Sequence, residues 1–265
     1  MMGAALRPAD RMTPLLSLEG VEKRFGGVVA LTGLSFEIRS GEIVGLIGPN
    51  GSGKSTCVNV IAGIFPPTAG AIRLSGEALG GLPVDERVRR GLARTFQTTS
   101  LFPEVTALEN VIAASHTRCS TAPVRSVFDR AKAKSDDAAA EERARDILGF
   151  VGLAATALSV AGTLSSTQQR LLMIANALAT EPRLILLDEP AAGMVAGERR
   201  DLALLIRRLR ERGVAILVIE HHMALIMDVC DRIVVLNFGQ KIAEGPPRTV
   251  GQDPRVIEAY LGEAH

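Results

Sequence analysis

The chain of 265 residues predicts an α/β protein in which a parallel-sheet core carries an antiparallel β subdomain and a helical subdomain. Short apolar runs at 43–47, 184–187 and 215–219 read as buried strands, and helical patterns at 56–62 and 198–212 alternate with them. Near the start, Leu34-Ser35-Phe36-Glu37-Ile38 alternates apolar and polar residues within 21–39, which also holds the Gly26-Gly27 turn, so this opening reads as antiparallel. From Pro103 to about Leu158 the composition shifts toward Ala, Arg, Lys, Asp and Glu at helical spacing, as in 138–151. A closing hairpin is expected at 233–243 and a short helix at 254–261. The expected organisation is a flexible extension over 1–14 and one domain over 15–265, with its helical part at about 103–178.

Composition excludes several classes. Hydrophobic residues make up 47% of the chain, enough for a sizeable core, yet charge interrupts every apolar stretch well before the roughly 20 residues of a membrane-spanning helix. The first residues lack the apolar centre of a secretory signal, so the protein is expected to stay in the cytosol. A net charge of +1 gives no general reason to bind nucleic acid. The basic clusters Arg87, Arg89, Arg90 and Arg207, Arg208, Arg210, Arg212 read as solvated helix faces. Cys57, Cys119 and Cys230 have no metal or redox spacing and read as buried or incidental thiols.

Gly48-Pro49-Asn50-Gly51-Ser52-Gly53-Lys54-Ser55 matches the phosphate-binding pattern G-x-x-x-x-G-K-[ST] between a predicted strand and a predicted helix. Glycines let successive N–H groups turn toward phosphate oxygens at the positive end of the helix dipole. Lys54 adds a point charge for the outer phosphates, Ser55 a hydroxyl for Mg²⁺, and Thr56 a second hydroxyl. Asp188 and Glu189 end the apolar run 184–187, where a mononucleotide site in a parallel sheet is expected. Asp188 is assigned to Mg²⁺, and Glu189 to orienting or deprotonating the attacking water.

With these motifs in place, the chain resembles the ABC ATPase family from about residue 15 onward, which implies a P-loop NTPase core, ATP and Mg²⁺ as cofactors, and hydrolysis coupled to transport. The resemblance implies that Phe25 stacks on adenine, that Gln97 is the Q-loop glutamine touching Mg²⁺ or the water, and that His221 is the switch histidine on the terminal phosphate. It also implies two transmembrane permease subunits, a second ATP-binding subunit read as a distinct paralogue, and a place on the inner face of the plasma membrane. The segments Gly91-Leu92-Ala93-Arg94-Thr95-Phe96-Gln97, Glu189-Pro190-Ala191-Ala192-Gly193, Ile219-Glu220-His221 and Val256-Ile257-Glu258-Ala259-Tyr260-Leu261-Gly262 look like the ATP-binding subunits of branched-chain amino acid importers. Lipopolysaccharide exporters and urea or amide transporters share much of this wording, so the solute stays open.

Two elements depart from the family pattern. The signature L-S-G-G-Q reads Leu164-Ser165-Ser166-Thr167-Gln168, ahead of a helix expected to start near Gln169, and β-branched Thr167 stands where glycine allows close backbone approach. The D-loop reads Gly193-Met194-Val195-Ala196, with Val195 in place of a polar residue, and Asn176 replaces the usual arginine further along the signature helix. Both loops serve the nucleotide of the opposite subunit in the family. A regulatory module with weak turnover is therefore the alternative expectation.

Overall fold

The computed structural model describes residues 14–95, 101–116 and 130–261. Gln97, Phe96, Cys119, Gly262 and all but the last residue of the expected extension lie outside them. In chain order the elements are β1 (Leu16–Phe25), β2 (Val28–Ile38), β3 (Ile43–Ile47), α1 (Lys54–Ala62), β4 (Ala69–Leu74), β5 (Glu77–Ala78), α2 (Val84–Arg89) and β6 (Leu92–Thr95). Then follow α3 (Ala107–His116), α4 (Arg130–Phe150), α5 (Ser166–Ala179), β7 (Leu184–Asp188), α6 (Ala196–Glu211), β8 (Ala215–Ile219), α7 (Met223–Val229), β9 (Arg232–Asn237), β10 (Gln240–Gly245), α8 (Pro247–Val250) and α9 (Pro254–Leu261). The chain divides into two compact units, one of 1–94 with 183–265 and one of 95–182.

In the first unit, β2, β1, β4 and β5 form an antiparallel sheet in that order. A second sheet runs β10-β9-β3-β8-β7-β6, with β9, β3, β8 and β7 parallel and β10 antiparallel at the edge. All five residues of β3, β7 and β8 are buried, as expected of parallel strands covered on both faces. One core joins Leu16, Leu31 and Leu34 of the hairpin, Val58 and Ile61 of α1, and Leu46, Leu186 and Leu217 of the parallel sheet.

Register decides where chemistry is placed. Ile219 of β8 lies level with Leu46 of β3 and with Asp188 of β7. The three chain segments that leave these strands, starting at Gly48, Glu189 and Glu220, therefore emerge along one edge of the sheet.

The second unit contains α3, α4 and α5. Its segment 102–106 is held firmly: buried Asn110 accepts the Phe102 N–H at 2.8 Å and donates to the carbonyls of Phe102 and Thr106 at 2.9 and 3.0 Å. Ala161 N–H and Gly162 N–H donate to Val105 O and Pro103 O at 2.8 and 2.9 Å. Phe102, 60% exposed, and Glu104 project from this braced strip.

Several expectations need correction. The first hairpin begins at Leu16 and not at Val21, and α1, α4 and α6 begin at Lys54, Arg130 and Ala196, each two to eight residues before the apolar pattern suggests. Capping groups and polar first turns start a helix before its periodic stripe becomes visible. α5 starts at Ser166, because Ser165 and Gln168 form a capping box three residues ahead of the expected start.

Arg87 overturns its assignment to a solvated face. It is 1% exposed, and its guanidinium donates to Val60 O at 2.8 Å, Ile61 O at 2.7 Å, Leu79 O at 2.8 Å and Leu82 O at 3.1 Å. The first two are carbonyls of the last turn of α1, where a cation meets the negative end of the helix dipole. Gly63, at φ 87, leaves the room: a Cβ there would sit 2.6 Å from Arg87 Nε. Arg89, by contrast, pairs with Asp85 and Glu86 at the surface, in line with expectation.

Two outcomes follow. Arg87→Met should lower stability by about 3 kcal/mol, because four buried carbonyls lose a charged donor; urea unfolding would show it as a lower midpoint at unchanged slope. Burial pushes the Cys57 thiol up to about 12 and, with Asp231 nearby, the Cys230 thiol up to about 12. Both thiols therefore stay protonated, and neither should react with N-ethylmaleimide at pH 8 until the protein is unfolded.

Candidate functional site

The loop between β3 and α1 curls around its own backbone. Ser52 N–H donates to Pro49 O at 3.2 Å and Cys57 N–H to Gly53 O at 2.8 Å, while Gly239 N–H from the β9–β10 turn braces Ser52 O at 3.0 Å. Gly48 has φ 150, and a Cβ there would stand 2.1 Å from Leu236 O, so the loop can press against β9 only with glycine at this position. Lys54 Nζ lies inside the curl, donating to Gly48 O at 2.6 Å and Pro49 O at 2.7 Å. Ser55 is exposed and Thr56 half-buried in the first turn of α1.

A cavity of about 460 Å³ opens over this loop. Gly48, Asn50, Gly51, Ser52, Gly53, Lys54, Ser55 and Thr56 line it from α1 and the loop, Glu189 and His221 from the strand ends, and Val28, Val29 and Phe238 from the rim. The structure thus brings Lys54, Ser55, Glu189 and His221 to one space, as the motifs predict. Phe25 is not among the lining residues. It is 42% exposed at the end of β1, edge-on to Phe65 at 5.1 Å, with Lys23 Nζ 4.9 Å above its ring. Pro49 and Asp188 are also outside the lining, although Pro49 O holds Lys54.

Asp188 is buried and paired. Arg94 of β6 donates to its Oδ2 at 2.7 Å and to Asn59 Oδ1 of α1 at 2.6 Å, so one guanidinium ties the end of β7 to the phosphate helix. Glu189 follows at φ 47, the left-handed region, at a cost of about 1–2 kcal/mol for an L-residue. Its N–H is anchored on Ile219 O at 2.9 Å. Glu220, 1% exposed, accepts three backbone N–H groups: Ala191 at 2.7 Å, His221 at 3.2 Å and His222 at 3.3 Å. His221 is exposed, and His222, half-buried, stands at the N-cap position of α7 without a side-chain capping bond.

In the sequence Arg94 and Glu220 stand out only as members of motifs, with no role of their own. The signal for Glu220 was available: like Asp188, it is a charge directly abutting a wholly apolar run of strand length.

The second unit carries the predicted signature residues. Ser165 Oγ accepts Gln168 N–H at 3.2 Å and Gln168 Oε1 accepts Ser165 N–H at 3.0 Å, closing the cap, while Ser166 and Thr167 form the first turn of α5. In the first unit Val195 is 66% exposed at the start of α6, its N–H bound by Glu198 at 2.9 Å.

Comparison with known proteins places this geometry. The family model described as ABC transporter matches residues 31–192, and one described as branched-chain amino acid ATP-binding cassette transporter matches 240–265. The high-affinity branched-chain amino acid transport ATP-binding protein BraF of Pseudomonas aeruginosa is 43% identical over 95% of this chain and 99% of its own length. LivG of Escherichia coli, which bears the same description, is 41% identical over the same shares. Among solved structures, a nucleotide-free ATP-binding cassette from an ABC transporter superposes with a TM-score of 0.82 at 34% identity, covering 94% of this chain and 99% of that one. The ADP conformation of MJ1267, another such cassette, gives 0.81 at 33% identity over the same shares. With the phosphate loop, Glu189 and His221 gathered on one cavity, the chain belongs to the ABC transporter family as an ATP-binding subunit, an ATPase homologous to those of branched-chain amino acid importers.

Proposed function

We propose that this subunit hydrolyses Mg-ATP to drive uptake of branched-chain or related amino acids through two separate permease subunits, lying against the inner face of the membrane through them. The observation that carries the proposal is the shared cavity of Lys54, Ser55, Glu189 and His221. The loop N–H groups and Lys54 bind the phosphates, Glu189 orients and deprotonates the attacking water, and His221 donates to the terminal phosphate. Such positioning and charge neutralisation make up most of the catalysis of phosphoryl transfer. Phe25, 42% exposed beside the Gly26-Gly27 turn, is proposed as the adenine platform, as the family resemblance implies.

The donor set fits Mg²⁺, since Ser55 and Asp188 offer hard oxygen ligands alone, to which Gln97 adds an amide oxygen. When bound, the ion neutralises charge on the β- and γ-phosphates. Arg94 holds the Asp188 carboxylate at a fixed place on β7. No helix among the described residues is long and apolar enough to cross a membrane.

The second ATP-binding subunit is proposed to be a distinct paralogue. In a head-to-tail pair each ATP faces one subunit's phosphate loop and the other's signature. Here the signature position holds Thr167 inside a side-chain capping box, and the D-loop presents Val195. A homodimer would set these residues against both nucleotides, whereas a paralogue with an intact signature leaves the site built on Lys54 and Glu189 complete. Loss of donors to a transition-state phosphate costs about 10²- to 10³-fold in rate.

In the purified complex, Glu189→Gln should therefore abolish nearly all ATP hydrolysis, and the matching substitution in the partner should spare much of it. Equal losses, or brisk turnover by this chain as a homodimer, would sink the asymmetric pair. The braced strip bearing Phe102 and Glu104 is proposed to receive a permease helix. Glu104→Lys should then cut transport in vesicles several-fold more than ATP hydrolysis, and equal effects on both would remove this strip from the coupling surface.

A further inference from the structure

We propose that Glu220 is a positioning residue that sets both Glu189 and His221 for the hydrolytic step, an inference that rests on the catalytic assignment of those two side chains. The carboxylate is buried, and its two oxygens divide the work. Oε1 accepts Ala191 N–H at 2.7 Å, two residues beyond Glu189, and Oε2 accepts the N–H groups of His221 and His222 at 3.2 and 3.3 Å. One side chain at the end of β8 thus holds both the turn that leaves β7 and the residue that bears the imidazole.

That turn needs holding. Glu189 sits at φ 47, a conformation an L-residue keeps only where its surroundings over-determine it. Pro190 follows and has no N–H to contribute. The turn is instead pinned on either side of the proline, by Glu189 N–H on Ile219 O at 2.9 Å and by Ala191 N–H on Glu220. A carboxylate accepts both sets of bonds more strongly than a neutral amide does.

Two substitutions separate this role from simple packing. Glu220→Gln keeps the size but turns an NH₂ group against one set of N–H donors. Glu220→Asp keeps the charge and, like other short carboxylates, can still bond N–H groups one and two residues on, but it is a methylene too short to hold Ala191. Glu220 borders the cavity beside Glu189 and His221, but its carboxylate is bonded to the N–H groups of Ala191, His221 and His222 and is no part of the phosphate loop, so nucleotide binding should persist while the reacting groups drift. A misplacement of 1 Å in a reacting group costs about 10²-fold.

The test uses the full-length chain in its assembled transporter, with Mg-ATP affinity, kcat and orthovanadate trapping of ADP measured together. Both variants should bind Mg-ATP within about threefold of the unaltered protein, while kcat falls about tenfold or more and vanadate trapping falls with it. Unchanged kcat in both variants would overturn the inference. So would affinity and kcat that decline together with a lowered melting temperature, the mark of a purely structural residue; Glu220→Asp, which retains the buried charge, keeps the test decisive if Glu220→Gln folds poorly. Glu189→Gln is run beside them. Full turnover in Glu189→Gln would overturn the catalytic assignment itself, whereas its loss alongside full turnover in both Glu220 variants rejects the positioning role alone.

Discussion

Parallel register is the constraint on which the rest of the structure depends. Because β3, β7 and β8 run the same way, with Leu46, Ile219 and Asp188 level, every segment leaving these strands reaches the same edge of the sheet. A slip of one residue in β7 would swap which of Asp188 and Glu189 ends the strand and turn each to the other face. These strands, apolar but for Asp188 at the end of β7, prevent this slip only in part, since they are buried on both faces. The polar bonds at their ends fix the alignment: Arg94 on Asp188, Glu189 N–H on Ile219 O, and Glu220 on Ala191 N–H.

Those bonds explain how buried charge is tolerated so close to a phosphate site. The Asp188 carboxylate meets a guanidinium, and the Glu220 carboxylate meets three backbone donors. Each buried charge is compensated by fixed partners, the condition under which it can be kept in a low-dielectric interior. Glu189 differs: it is half-buried, reaches the cavity, and sits on a backbone bent to aim it there. Asp188 and Glu189 are thus neighbours in sequence but not in environment.

Much of this was legible in the sequence. The phosphate loop was readable because its glycines have a steric reason, seen at Gly48 against Leu236 O, and β3, β7 and β8 because apolar runs of four or five residues bounded by glycine or charge leave few alternatives. Helix starts were less legible, since a cap such as Ser165 with Gln168 is polar and adds nothing to apolar periodicity. Arg87 was misread for a related reason. Its neighbours Asp85, Glu86 and Arg89 do make a solvated ion-pair face, and only the fold reveals that one arginine of the run points inward to four carbonyls. Glu220 and Arg94 escaped because their partners lie 29 and 94 residues away, beyond any local pattern.

The cap that Arg87 places on α1 bears on how the phosphate loop comes to exist during folding. α1 has nine residues, begins at a glycine with no side-chain cap, and is too short to persist as an isolated helix in water. Its C-terminal carbonyls are satisfied by a side chain more than twenty residues further on, after β4 and β5 have been added to the first hairpin. Its N-terminal loop is braced by Gly239, which arrives only with the last hairpin. Both ends of the helix therefore await distant segments, and the loop, though written in eight consecutive letters, is ordered by long-range closure late in the assembly of its unit.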